Sequence, residues 1–176
     1  MELVEPSAHY KDSFIDAVKE YRTSNEDSDR SDRHAQLSID ELDQNFDAFV
    51  EIVRGHAKGE GLPDGYVPES EYWLVDSETY VGRVHIRHQL TNHLRQLGGH
   101  IGYDIRPSMR GHGFGNTILA LALPYAKALG ISPVLVTCDV TNVPSRKVIE
   151  KNGGTLENQV QNPATGVDKL RYWIHP

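Results

Sequence analysis

The segment Arg110-Gly111-His112-Gly113-Phe114-Gly115-Asn116 constrains this chain more than any other, because alternating glycines stand between a strand pattern and a helical pattern. Pro107 stops the strand before it, and Phe114, Ile118, Leu121, Tyr125 and Leu129 then recur at helical spacing. A strand-to-helix turn of this kind aims several backbone N–H groups outward. They add to the positive end of the helix dipole and make an anion site. Glycine removes the Cβ atoms that would hold a phosphate away, and Arg110 adds a fixed positive charge. Spacing excludes two nucleotide patterns. A Walker A loop ends in Gly-Lys-Ser/Thr, whereas Gly115 is followed by Asn116 and Thr117. A G-x-G-x-x-G fingerprint needs its third glycine where Asn116 or Ile118 stands. A turn serving only close packing is the alternative.

The rest of the pattern orders the elements around this turn. Glu2 to Glu5 reads as a short strand. Tyr10, Phe14, Val18 and Tyr21 mark a first helix. Ser38-Ile39-Asp40-Glu41 is a capping-box start for a second, whose face holds Ile39, Leu42, Phe46, Phe49 and Val53. Thr23 to Arg33 reads as an exposed polar loop and Gly55 to Pro68 as a long one. Tyr72–Val75 and Tyr80–His88 read as a hairpin, and Gly99–Arg106 as a strand. The helix from about Gly113 to Leu129 contains Pro124, which predicts a kink or an early end, and Gly130 is its stop. Pro133–Cys138 is a strand, and Asn142 caps a helix ended by Gly153. Thr155–Val160 and Lys169–Ile174 form a last strand pair. The fold class is mixed α/β: a mostly antiparallel central sheet flanked by helices, as one domain over residues 1–176.

Composition excludes several functions. The net charge of −7 gives no general attraction to nucleic acid. No apolar run approaches a membrane span, and the amino-terminal residues lack a secretory pattern. The single cysteine, Cys138, permits no internal disulfide, so a cytoplasmic setting is expected. The acids gather at Glu26–Asp47 and Glu60–Glu78. Flanking an acceptor entrance they would favour an amine; coating outer helices they would serve solubility.

The motif Arg110-x-x-Gly113-x-Gly115 resembles the acyl-CoA pyrophosphate loop of the GNAT N-acetyltransferase superfamily. His100–Pro107 looks like the family's central strand. Asn142-Val-Pro-Ser145 followed by a helix ending at Gly153-Gly154 resembles its second motif. The resemblance implies a GNAT-like acyl-CoA N-acyltransferase fold and an acetyl-CoA-dependent N-acetyltransferase acting on a primary amine by direct transfer. Backbone N–H groups of Arg110, Gly111, His112, Gly113, Phe114 and Gly115 would hold the pyrophosphate. Ile105 and its strand neighbours would bond the pantetheine arm between splayed strands, and Asn142 would contact the cofactor. Arg146 or Lys147 would reach the 3′-phosphate or be exposed helix charges.

Direct transfer needs a neutral amine, an oxyanion stabiliser and a proton for the leaving thiolate. His100, which starts the central strand, is the first candidate base, against a structural role at a strand end. His85 and His88 point to opposite faces of a strand, so no metal site is expected; either would line a substrate pocket. Glu71 is a weaker base. The family often has a tyrosine acid seven residues after the motif asparagine, where this chain has Ile149. Tyr103 is the chosen proton donor, with Tyr172 or water as alternatives. Cys138 reads as a buried thiol rather than a nucleophile, and Tyr72 and Trp73 as core or pocket wall. Ile149 also raises an alternative: a non-enzymatic acyl-CoA-binding regulatory module. Expected partners are a small-molecule or peptide amine, with no nucleic acid and no membrane; a homodimer is admitted. The Gly55–Pro68 and His88–Gly98 loops would shape the acceptor pocket.

Overall fold

In the computed structural model, which describes residues 1–24 and 36–176, backbone pairing begins at Glu2–Val4 (β1). β1 lies antiparallel to Glu69–Asp76 (β2), which turns through Ser77 into Thr79–Arg87 (β3). Among the described residues between β1 and β2 stand the helices Lys11–Thr23 (α1) and Ile39–Gly55 (α2). The chain then runs through Ile101–Ile105 (β4), Phe114–Ala128 (α3), Val134–Asp139 (β5), Val143–Lys151 (α4), Thr155–Val160 (β6) and Lys169–Ile174 (β7). The seven strands make one sheet in the order β1-β2-β3-β4-β5-β7-β6. Every ladder is antiparallel except β4–β5, so the mostly antiparallel α/β architecture stands as expected. Among the described residues no helix is long and apolar enough to cross a membrane.

Local chemistry explains the element ends. The Ser38 hydroxyl accepts the Glu41 N–H at 3.3 Å, which starts α2. Asn142 does the same for α4, accepting the Ser145 N–H at 3.0 Å. Three expectations need correction. β2 starts at Glu69, before Tyr72, because Glu69 and Glu71 find Arg87 and Arg83 across the hairpin; paired charges hid the strand. α3 runs through Pro124 to Ala128 without an early end. Ala120, whose carbonyl loses its donor, is exposed, so the loss falls where solvent can reach the carbonyl. The buried face of α3 is Ile118, Leu119, Ala122 and Ala126, while Tyr125 and Leu129 are exposed. This helix is apolar nearly all round, so packing against the sheet selects its inner face, not periodicity. The polar stretch Thr23–Arg33 falls outside the described residues beyond Ser24.

Two cores lie on opposite faces of the sheet. One packs Val84, Ile86, Ile101 and Tyr103 against Ile118, Leu119 and Ile149 of α3 and α4. The other packs Phe14, Phe46, Trp73 and Tyr80 beneath α1 and α2. In it, Phe14 stacks on fully buried Trp73 at 4.8 Å and meets Tyr80 and Phe46 edge-on. Phe14 therefore links α1, α2 and the sheet. Phe14→Ala is expected to lower stability by about 3–5 kcal/mol in urea denaturation with an unchanged m-value. A loss below about 1 kcal/mol would contradict this packing account.

Candidate functional site

The glycine turn forms the predicted cradle. Gly111 and Gly113 have φ of 80° and 85°, a region that favours glycine, and Gly113 is the residue before α3. A Cβ at either would meet nothing within 4 Å, so the space in front of the turn is open. Arg110 N donates to Pro107 O at 3.2 Å, and bonding resumes with Asn116 N on Gly113 O at 3.0 Å. Of the intervening amides, Gly111 and His112 belong to the turn, and Gly113, Phe114 and Gly115 are those a helix start leaves without an intrahelical acceptor. Arg110 does not reach outward. Its Nε donates to Ile105 O at 3.0 Å and its guanidinium sits 5.9 Å from the Tyr21 ring centre, which ties the turn to the end of β4. Glu20 of α1 reinforces that end, taking Arg106 Nη2 at 2.7 Å and Ser108 N at 3.0 Å. Burial alone would raise the Glu20 pKa, but these hydrogen bonds outweigh it and hold the carboxyl low.

The turn stands at a split in the sheet. Among the described residues, β4 and β5 pair only at Ile101 and Val136. At the closed end His100 N donates to Leu135 O at 2.7 Å, and His100 Nδ1 accepts Leu135 N at 2.9 Å. Beyond this β4 continues to Ile105 and β5 to Asp139, leaving a wedge between them. Tyr103 faces α4, its hydroxyl 3.0 Å from Ser145 Oγ. Asn142 is held at the mouth of the wedge by its capping bond to Ser145. Ile149 is fully buried. Tyr172 donates to Glu150 Oε1 at 3.0 Å, and burial pushes its pKa up to about 12. Cys138 is buried in β5, and Arg146 pairs with Glu150 at 3.7 Å on an exposed helix face.

A cavity of about 570 Å³ opens on the other face of β3 and β4. Both expected loops line it, through Tyr66 and Val67 and through His93, Leu94 and Leu97. The β6–β7 connection adds Asn162 and Thr165, which sequence reasoning did not anticipate. His85 lines the cavity, whereas His88 contacts Ser70 Oγ at 2.9 Å, so the two histidines do not converge. The His85 ring lies across Gly102, where a Cβ would collide with it; this close approach requires glycine. Arg83 pairs with Glu71 at 3.3 Å and with Asp104 at 3.8 Å, and Arg87 with Glu69 at 3.6 Å.

The structure thus gathers the Arg110–Gly115 turn, Ile105, Tyr103 and Asn142 around one wedge. His100 lies at the opposite end of β4, roughly 16 Å from Ile105 at ~3.3 Å per residue. Burial, with Arg95 and Arg87 nearby, pushes its pKa down to about 4. With Nδ1 accepting a backbone N–H, a neutral ring carries its proton on Nε2 and offers no lone pair to a substrate. Sequence reasoning missed Asp104 and the contact of Ser145 with Tyr103. Strand alternation around Tyr103 could have placed Asp104 on the opposite face.

A family model described as an acetyltransferase (GNAT) domain matches residues 13–155. No curated protein sequence matches the chain. Solved structures do. The ribosomal alpha-N-protein acetyltransferase RimL, in complex with coenzyme A, is 17% identical with a TM-score of 0.69 over 98% of this chain and 92% of that one. The microcin self-immunity acetyltransferase MccE, in complex with acetyl-CoA and AMP, is 18% identical with a TM-score of 0.66 over 99% and 91%. A chimera of spermidine N-acetyltransferase SpeG from Vibrio cholerae and hSSAT is 16% identical with a TM-score of 0.58 over 99% and 95%. At these identities the likeness is one of fold.

The His100 contact carries a pH signature. Its folded pKa lies below the ordinary histidine value of about 6.5, so the unfolded chain takes up the proton first. The stability this supplies is complete above about pH 6.5 and is lost as pH falls toward 4. Denaturation at neutral and acid pH should show a smaller acid loss for His100→Asn than for the unaltered chain. Equal losses would remove His100 from this role.

Proposed function

The chain belongs to the GNAT acetyltransferase family, and from that premise we propose that it moves the acetyl group of acetyl-CoA directly to a primary amine held in the β3–β4 cavity. The carrying observation is the open glycine turn at the mouth of the β4–β5 wedge. Acetyl-CoA is the donor of this family, and membership decides against a module without turnover. The pyrophosphate lies on the N–H groups of Gly111 to Gly115, since the Arg110 N–H is taken by Pro107 O, with the α3 dipole behind it. Arg110 contributes by bracing the turn on Ile105 more than by direct charge. The pantetheine arm enters the wedge alongside Ile105, and Asn142 holds the far lip. Residues 1–176 act as one domain, supported by the single sheet joining Glu2 to Ile174. A cytoplasmic setting is the one we infer, since the single cysteine, Cys138, permits no internal disulfide.

Tyr103 delivers the proton to the leaving thiolate, with the Ser145 hydroxyl as its hydrogen-bonded neighbour. His100 serves to pin β5. We assign proton removal from the amine to His85 instead, since its ring lines the cavity across Gly102, next to Tyr103 on β4. The nitrogen then attacks the thioester carbonyl, and the tetrahedral intermediate collapses with loss of the thiolate. No acyl-enzyme is needed, which fits the buried state of Cys138.

Two variants test this assignment. Gly113→Glu puts a carboxylate and a strained backbone where phosphate should lie, so acetyl-CoA binding in calorimetry should weaken by roughly tenfold or more. Unchanged affinity in the folded variant would refute the loop assignment. Tyr103→Phe should lower kcat by about 100-fold while the acetyl-CoA dissociation constant stays put. A variant with wild-type kcat would remove Tyr103 from the chemistry.

A further inference from the structure

The cavity is lined by two carboxylates, Glu69 and Asp104, and three cations, Arg83, Arg87 and Lys169, but Glu71 and Asp139 outside the lining also pair with those cations, so four carboxylates share three cations. That says something about the amine the cavity takes; this step rests on the transferase reading above. Glu69 pairs with Arg87 at 3.6 Å, and Asp139 with Lys169 at 2.6 Å. Arg87 also donates from Nη1 to Gly98 O and Gly99 O, both at 3.0 Å. Arg83 serves two acids: Glu71 at 3.3 Å and, more loosely, Asp104 at 3.8 Å. Every cation of the wall therefore has a carboxylate partner, and Asp104 shares its partner with a closer rival.

Position makes that imbalance relevant to the reaction. Asp104 lies between Tyr103 and Ile105 on the part of β4 beyond its pairing with β5. Strand alternation sends Tyr103 toward α4 and Asp104 into the cavity. Its residue is only 8% exposed, and a buried carboxylate with half a counter-ion is costly until another cation arrives. The cavity volume of about 570 Å³ suits a small molecule.

We propose that Asp104 anchors the ammonium group of the acceptor, and that the acceptor is a small cationic amine with no carboxylate beside the reacting nitrogen. An α-amino acid brings a carboxylate to a wall whose guanidinium groups are already engaged, next to Asp104 itself. Alkylamines and amino sugars bring only the missing cation.

A matched pair of probes tests this, since norleucine is pentylamine with one added α-carboxylate. With acetyl-CoA as donor, pentylamine should be acetylated with a kcat/KM at least about tenfold above that of norleucine. Asp104→Asn should raise the pentylamine KM about tenfold, narrow the gap between the probes and leave acetyl-CoA affinity unchanged; Asp104→Glu should recover part of the loss. Acetyl-CoA affinity also reports whether each variant is folded, and the probe ranking in the unaltered protein needs no variant. Equal use of both amines, or an Asn variant that binds acetyl-CoA and keeps the pentylamine KM, overturns the proposal. If neither probe is acetylated, calorimetry of each on the CoA-loaded protein must show the same ranking and the same loss in the Asn variant. No pentylamine binding at millimolar concentration overturns it. Failure of acetyl-CoA itself to bind would instead strike the transferase reading, and the inference with it.

Discussion

The pairing of β4 with β5 holds at one point and then fails, and the rest of the site depends on that failure. Antiparallel ladders on either side keep both strands in the sheet. Between them the parallel register is confined to Ile101 and Val136, with the His100 ring replacing a backbone acceptor for Leu135. A parallel pair is slightly weaker per residue than an antiparallel one, so the sheet opens there at the least cost. One rim of the opening carries the β4–α3 turn and the other carries the start of α4. Two helix beginnings thus face one wedge: the α3 start has amides that need acceptors, whereas the α4 start is closed by the Asn142 cap. Tyr103 and Ser145 join the rims from beneath.

Contacts outside the wedge keep the turn in shape. Glu20 fastens α1 to Arg106 and to the Ser108 amide, and Arg110 folds back onto Ile105. A half-buried carboxylate that accepts several donors holds its geometry with little reorganisation, the condition under which fixed dipoles stabilise charge. The α1 helix is in turn seated by Phe14 on Trp73. Aromatic packing on one face of the sheet thereby sets the position of an anion cradle at its end.

Much of this was legible because it follows local rules. The caps at Ser38 and Asn142, the stop at Gly130 and the β2–β3 turn each depend on a few neighbouring residues, and each lies where the sequence put it. The glycine turn was legible for the same reason. What escaped was non-local. Glu69 and Glu71 look solvent-exposed until Arg87, opposite the first, and Arg83, diagonal to the second, pair with them across the hairpin, so the start of β2 was missed. The inner face of α3 depends on the sheet beneath an almost uniformly apolar helix. His100 leads directly into the motif strand, yet a strand's length separates it from the end where the motif acts. Proximity in sequence had stood in for proximity in space.

Charge shows the same division between sum and place. A net charge of −7 hints at cationic ligands, but Asp40, Glu41, Asp43, Asp47 and Glu51 are exposed on α2, where water and salt screen them. Glu60 and Asp64 are exposed as well, so most of the acidic excess of these segments serves solubility. Around the cavity the ions are nearly balanced, and the residual sign depends on one guanidinium serving both Glu71, outside the lining, and Asp104 within it. Buried charges are screened far less than exposed ones, so that single imbalance outweighs the larger sum outside. Selectivity for an amine, on this account, is a property of three side chains on three adjacent strands, and the overall acidity of the chain neither supplies it nor predicts it.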